Sequence, residues 1–207
     1  MAQLLFDNIS YSFGYGGKTK CILQDISGYA AANELTCIMG PSGSGKTSLL
    51  NALAGRIPAL EGTKLTGAIR YTGDYSSFRA SYIMQDEILF DYLTVKETLQ
   101  FSVYINYENI SNEVRDMLVD ETIRTLNLYN VKDTIIGNQA VRGISGGERK
   151  RTSIAKEIIY EPKILFVDEP TSGLDSFQAA MVVQNLKEMA KENRIIITVI
   201  HQPSSQM

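Results

Sequence analysis

Gly40-Pro41-Ser42-Gly43-Ser44-Gly45-Lys46-Thr47 follows directly on the apolar run Leu35-Thr36-Cys37-Ile38-Met39 and precedes Ser48-Leu49-Leu50-Asn51-Ala52-Leu53-Ala54, closed by Gly55. Buried strand, glycine loop, Lys-Thr, helix: this is the context in which a G-x-x-x-x-G-K-[ST] loop holds phosphate. The glycines let backbone N–H groups converge on phosphate oxygens with no Cβ in the way. Lys46 supplies a point charge between the terminal phosphates, and the Thr47 hydroxyl is a ligand for Mg²⁺. The helix that begins at Ser48 turns its positive end toward the same anion. Gly40 through Ser48 are therefore the first candidate binding set, and their ligand is a nucleoside triphosphate.

The rest of the chain is ordinary in composition. Its 207 residues are 44% hydrophobic and 21% charged, with a formal net charge of −3. That length is enough for a sizeable core. The acidic balance gives no electrostatic case for a nucleic-acid partner. Cys21 and Cys37 are not in metal-ligand spacing, and Cys37 reads as a small core residue inside its strand. Without a disulfide framework, a reducing cytosolic setting is expected. Met1 leads almost at once into strand-like Leu4-Leu5-Phe6, with no secretory signal. Apolar runs such as Ile195–Ile200 are far short of the ~20 residues that span a bilayer, so the chain itself reads as soluble.

Short strand runs around a glycine turn at Gly14-Tyr15-Gly16-Gly17 predict antiparallel hairpins in the first thirty residues. Two more strands are expected at Gly67–Tyr71 and Ser81–Met84. Thr94-Val95-Lys96-Glu97 is a capping box opening a helix through Leu99, Phe101 and Val103. A second helix runs from Asn112 to Leu126, with Val114, Leu118, Ile123 and Leu126 on its apolar side. Further on, a helix near Gly147–Tyr160, a strand Ile164–Val167, a helix near Phe177–Glu192 and a strand Ile195–Ile200 alternate. Both strands are unbroken apolar runs, as in a parallel sheet buried on both faces. The pattern predicts an α/β core split by a helical insertion over residues 86–140, with no internal repeats.

Ile164-Leu165-Phe166-Val167 ends in Asp168-Glu169-Pro170. Alternation sends the two carboxylates in different directions, so Asp168 can enter the Mg²⁺ shell beside Thr47 while Glu169 reaches the water that attacks the γ-phosphate. Ser145-Gly146-Gly147-Glu148 is a second capping box and a second anion-ready helix start. One triphosphate has no need of two main cradles, so this one suits a triphosphate presented by another copy of the domain. Arg149-Lys150-Arg151, which come next, read by themselves as a solvated face.

The string Val141-Arg142-Gly143-Ile144-Ser145-Gly146-Gly147-Glu148-Arg149-Lys150-Arg151 resembles the signature motif of ABC ATPases, in the form typical of the White-type (ABCG) transporters. Gly40–Thr47 then matches Walker A and Ile164–Glu169 Walker B. Ser172-Gly173-Leu174-Asp175 matches the D-loop, Gln85 the Q-loop and His201, in His201-Gln202-Pro203, the switch histidine. The resemblance covers essentially the whole chain. It implies a P-loop NTPase-type parallel sheet with an N-terminal antiparallel β subdomain and an inserted α-helical subdomain. It also implies catalytic roles for Glu169, His201 and Gln85, Mg²⁺ on Thr47, Gln85 and Asp168, and nucleotide contacts from Ser145–Glu148 and Asp175. Asp175 is in addition suited to cap the helix behind it. Glu148 stands where most ABC ATPases carry glutamine, as is usual in the White-type set. The aromatic that stacks on adenine in many ABC ATPases is left between Tyr11 and Phe13.

The resemblance further implies an ATP-hydrolysing motor, dimerising around ATP on the cytosolic face of a membrane to export a lipid, sterol or other small molecule. The chain stops at Ser204-Ser205-Gln206-Met207, just past the switch histidine. It is read as one ATPase domain cut short, the N-terminal piece of a longer transporter whose membrane part lies downstream. A soluble ABC ATPase acting on ribosomes or DNA is a rival, but heptads and a basic patch are missing. A catalytically dead regulatory subunit is another, and every chemical residue is present.

Overall fold

The computed structural model describes residues 2–15, 18–73, 79–138 and 140–201. The glycine turn at Gly16-Gly17, Gln202-Pro203 and the terminal Ser204–Met207 lie outside them.

Two sheets organise the chain. Strands β1 (Gln3–Tyr15), β2 (Lys18–Ala31) and β4 (Thr63–Thr72) form an antiparallel sheet in the order β2-β1-β4. The second sheet is parallel, in the order β3 (Leu35–Met39), β7 (Ile195–Ile200), β6 (Ile164–Asp168), β5 (Ala80–Ile83). This is the antiparallel and parallel pairing that the sequence pattern predicts. Every residue of β6 and β7 is buried. Side chains of that kind are worth ~1.5–3 kcal/mol each when removed from water, which makes these two central strands the anchor of the fold.

Helix α1 (Lys46–Leu53) packs Leu49, Leu50 and Leu53 into a core shared by β1, β2 and the near face of the parallel sheet. Between β5 and β6 the chain makes α2 (Val95–Asn106), α3 (Asn112–Thr125) and α4 (Gly146–Ile158), which bury a second core on the opposite face of the sheet. Helix α5 (Ser176–Ala190) closes that core through Val182, Leu186 and Met189. The Thr94 capping box is formed in both directions: Thr94 Oγ1 accepts from the Glu97 amide (3.1 Å) and Glu97 Oε2 from the Thr94 amide (2.8 Å).

Three expectations are corrected. Strand β3 is an edge strand, not a strand buried on both faces: Met39 is 59% exposed and Cys37 is exposed rather than core. Its apolar composition matches that of β6, but composition does not say whether a neighbour lies on both sides. In α3 the buried residues are Val119, Thr122 and Ile123, in the C-terminal half of the helix, while Val114 is exposed. The third correction is Arg149-Lys150-Arg151, which is no solvated face. Arg149 is half-buried, Lys150 and Arg151 are buried, and the Arg151 Nε has no partner among the described residues.

Candidate active site

All four strands of the parallel sheet run the same way, so their C-terminal ends share one edge. The phosphate loop leaves β3 there, Gln85 follows β5, Asp168-Glu169 end β6, and His201 follows β7. Ligands of open parallel sheets bind along that edge.

Two adjoining cavities occupy it. One is lined by Ser42, Gln85, Glu169, Thr171, Ser172 and His201. The other is lined by Lys20, Cys21 and Ile22 of β2, Ser42, Gly43, Gly45, Lys46, Thr47 and Ser48, with Glu169 and His201 again. Ser42, Glu169 and His201 border both, so the two form one basin. Gln85, Glu169 and His201, 116 residues apart at the extremes of the sequence, thus converge on the phosphate loop.

The loop earns its glycines by geometry. Gly45 caps α1 at φ 90°, and a Cβ there would lie 3.1 Å from the Ile22 carbonyl. No side chain caps this helix start. Its N–H groups are left for a ligand. Lys46, 8% exposed, folds back so that its Nζ donates to the Pro41 carbonyl (2.9 Å). Thr47 Oγ1 donates to Asp168 Oδ1 (3.0 Å).

The paired carboxylates part, but β6 ends at Asp168, so it is the turn at Glu169 and not strand alternation that separates them. Asp168 is buried and held from two sides, by Thr47 and by the Tyr82 hydroxyl, which donates to Oδ2 (3.3 Å). Burial pushes the Asp168 carboxyl above its ordinary value, a shift opposed by the Thr47 hydrogen bond. Burial, then the Asp168 charge, pushes the Tyr82 phenol up, which keeps it a donor. Glu169 leaves the strand with φ 44°, in the left-handed region that non-glycine residues seldom enter. This turn carries its side chain into the basin instead of along the sheet. Gln85 is exposed to the basin, and its Nε2 donates to Ser172 Oγ (3.4 Å).

Ser145–Glu148 stand elsewhere. None of the four lines the basin. The capping box is complete: Ser145 Oγ accepts from the Glu148 amide (3.3 Å) and Glu148 Oε2 from the Ser145 amide (2.7 Å). Ser145 and Gly146 are exposed. Asp175 caps α5 through the Gln178 amide (2.8 Å) and does not line the basin either.

Neither Tyr11 nor Phe13 lines the cavity beside the loop. Tyr11 packs against the antiparallel sheet's core, and the wall is made by Lys20-Cys21-Ile22, their cross-strand neighbours on β2. Sequence reasoning also passed over Tyr82, although it stands three residues before Gln85. Its signal was a polar tip on a strand that reads as apolar core.

Phosphate loop, carboxylate pair, glutamine and histidine on one sheet edge define a P-loop domain for a nucleoside triphosphate. Comparison with known proteins agrees. A family model described as ABC transporter matches residues 23–172. The chain is 41% identical over 211 aligned positions to ABC transporter G family member 11 of Arabidopsis thaliana, covering 100% of this chain and 30% of that protein. It is 44% identical over 212 positions to ABC transporter G family member STR of Petunia hybrida, covering 97% of this chain and 26% of that one. The chain belongs to the ABC transporter family, and it is a nucleotide-binding domain of the G-family type. ATP binding and the ATPase class come with that membership. The chain spans between 26% and 33% of the length of the curated relatives it matches.

Proposed function

We propose that this domain hydrolyses ATP as the motor of a membrane exporter, at sites completed by a second nucleotide-binding domain. The observation that carries this reading is the meeting of Gln85, Glu169 and His201 over the phosphate loop. Lys46 and the bare N-terminus of α1 would take the β- and γ-phosphates. Glu169, free of the Thr47–Asp168 pair, would accept the proton of the attacking water, with Gln85 orienting that water and His201 contacting the γ-phosphate. Thr47, Asp168 and Gln85 offer hydroxyl, carboxylate and amide oxygens, the hard donors that suit Mg²⁺, and Thr47 and Asp168 are already 3.0 Å apart. When bound there, the ion supplies charge neutralisation at the phosphates. The adenine would rest on the aliphatic wall of Ile22 and Cys21.

Ser145-Gly146-Gly147-Glu148, which do not line the basin and of which Ser145 and Gly146 are exposed, support a shared site: their anion would be the γ-phosphate held by the partner domain, with Asp175 near that contact. The helical insertion of residues 86–140 would meet the transmembrane part of the exporter. Its outer face supports this, with a groove of about 490 Å³ lined by Phe101, Tyr104 and Ile105 of α2 and by Asn112, Arg115 and Asp116 of α3. Among the described residues no helix is long and apolar enough to cross a membrane. The membrane part, and the cargo contacts for a lipid, sterol or other small molecule, would therefore be supplied from outside this domain, which would sit on the cytosolic face.

Glu169→Gln tests the chemistry. In the full-length protein it should keep ATP affinity within about twofold and lower kcat by ~10²-fold or more, because an amide cannot take the proton. Near-normal steady-state hydrolysis by Glu169→Gln would remove the general base from this reading.

A further inference from the structure

Lys150 is the least expected side chain in the molecule. It is 1% exposed, and its ammonium donates to the Gln85 carbonyl (2.6 Å) and pairs with Glu87 (2.6 Å). A buried ammonium loses its hydration and is tolerated only when such partners replace it. An apolar side chain of the same length would suit a site this deeply buried more simply. The cation is therefore placed for what it holds.

It holds the stretch between β5 and α2, which runs from Met84 to Leu93 without helix or strand. Two further cations of α4 grip the same stretch: Lys156 Nζ donates to the Ile88 carbonyl (3.3 Å), and Arg149 lies 3.8 Å from Asp91. Helix α4 thus seats the segment from one end to the other. Its first contact falls on the main chain of Gln85, whose side chain faces Glu169 and His201 across the basin.

We infer that Lys150 is a positioning residue for hydrolysis: it fixes the Gln85 main chain, so that the amide addresses the reacting phosphate only when α4 is seated. This rests on the reading of the site given above. Helix α4 begins at Ser145–Glu148, so the same lever ties a chain's own Gln85 to the nucleotide that the partner presents to its α4.

The test uses the full-length protein and three variants, with melting temperature, ATP affinity by fluorescent-nucleotide titration, and kcat and KM for phosphate release. Lys150→Met/Glu87→Gln removes both charges together, so no unpaired ion is left to unfold the helix. It should keep ATP affinity and KM within about twofold while kcat falls by about tenfold or more, as expected when a reacting geometry slips by a fraction of an ångström. Glu87→Gln alone takes the counter-charge from a buried ammonium and should lower the melting temperature, but it retains the bond from Lys150 to the Gln85 carbonyl, so below that temperature kcat should stay within about threefold of the parent. Glu169→Gln is the control for the site itself. If it loses hydrolysis while the double variant retains the parental kcat, the site reading stands and the positioning role is wrong. If the double variant loses affinity, kcat and melting temperature together, Lys150 is only structural and the inference also falls. If Glu87→Gln alone matches the double variant, the bond to Gln85 is not what matters. Should Glu169→Gln itself keep hydrolysing, the failure lies in the site reading and not in Lys150.

Discussion

Two helices of this domain start at glycines, yet they are built on different plans. Helix α1 starts from a left-handed Gly45 with no side-chain cap, a lysine at its first position and a basin already around it. Helix α4 starts from an extended Ser145 with a closed capping box, no lysine in its first turn, and only Ser145 and Gly146 exposed. A helix start without a cap leaves donors unpaired until a ligand arrives, whereas a capped one is satisfied on its own. The first is a binding site within one chain. On the function proposed above, the second is a stable surface that would lend its dipole to something brought from outside, and so the two should fail in different ways.

The largest expected difference is between Lys46→Ala and Ser145→Arg. Lys46→Ala should weaken ATP binding by ~10²-fold, in fluorescent-nucleotide titration, because a charge facing the phosphates is worth several kcal/mol in a partly desolvated site. Ser145→Arg should leave that binding within about twofold and cut phosphate release by ~10²-fold or more, since bulk at α4 would block the partner's nucleotide. Gly147→Asp is the less clean probe, because a Cβ there already meets the Gln178 side chain at 3.1 Å. Loss of ATP binding by Ser145→Arg would erase the distinction between the helices.

A second difference can be read with a thiol reagent. Cys21 lines the basin at α1 and Cys37 lies on the open edge strand β3. Saturating ATP should slow maleimide labelling of Cys21 by about tenfold, as a bound ligand excludes reagent, and leave Cys37 unchanged. Equal protection of both, located by peptide mapping, would mean that nucleotide acts by global stabilisation and not by occupying that wall.

The smallest effect is on stability. Ser145→Ala opens the capping box of α4 and should cost about 1 kcal/mol in denaturant unfolding without nucleotide. No such cost exists at Gly45, where there is no cap to lose. An unchanged midpoint in Ser145→Ala would make the box ornamental and bring the two helix starts closer than their geometry indicates.

Both capping boxes were legible in the sequence because each is closed within four residues. The central strands β6 and β7 were legible because a strand covered on both faces is apolar at nearly every position, Asp168 and Thr198 being the exceptions. Two misreadings have a common physical origin. Leu35–Met39 is as apolar as β6, but its place at the edge of the sheet is decided by which strands pair with it, and nothing in those five residues records that. Arg149-Lys150-Arg151 look solvated because their acceptors are distant in sequence: Lys150 reaches Gln85 across 65 residues, and Arg149 donates to the Ile136 and Gly137 carbonyls. The candidate site itself could be assembled from motifs, since glycine loops and carboxylate pairs are local. Its wall at Lys20-Cys21-Ile22 could not, because the aromatic positions opposite them on β1 are the more conspicuous ones.

The shared edge of the parallel sheet has a consequence for the kinds of change this domain can absorb. Gln85, Glu169, His201 and the phosphate loop are each carried by the end of a different strand, spaced across the sheet by ~4.8 Å per strand. Side-chain replacement along β6 or β7 alters packing but leaves that spacing in place. Deleting a single residue from either strand would instead reverse every side chain beyond it, sending Glu169 or His201 to the other face and apolar residues into the basin. For this edge the severe lesion is a change of length, and the interior of each strand serves as a ruler whose count matters more than its lettering.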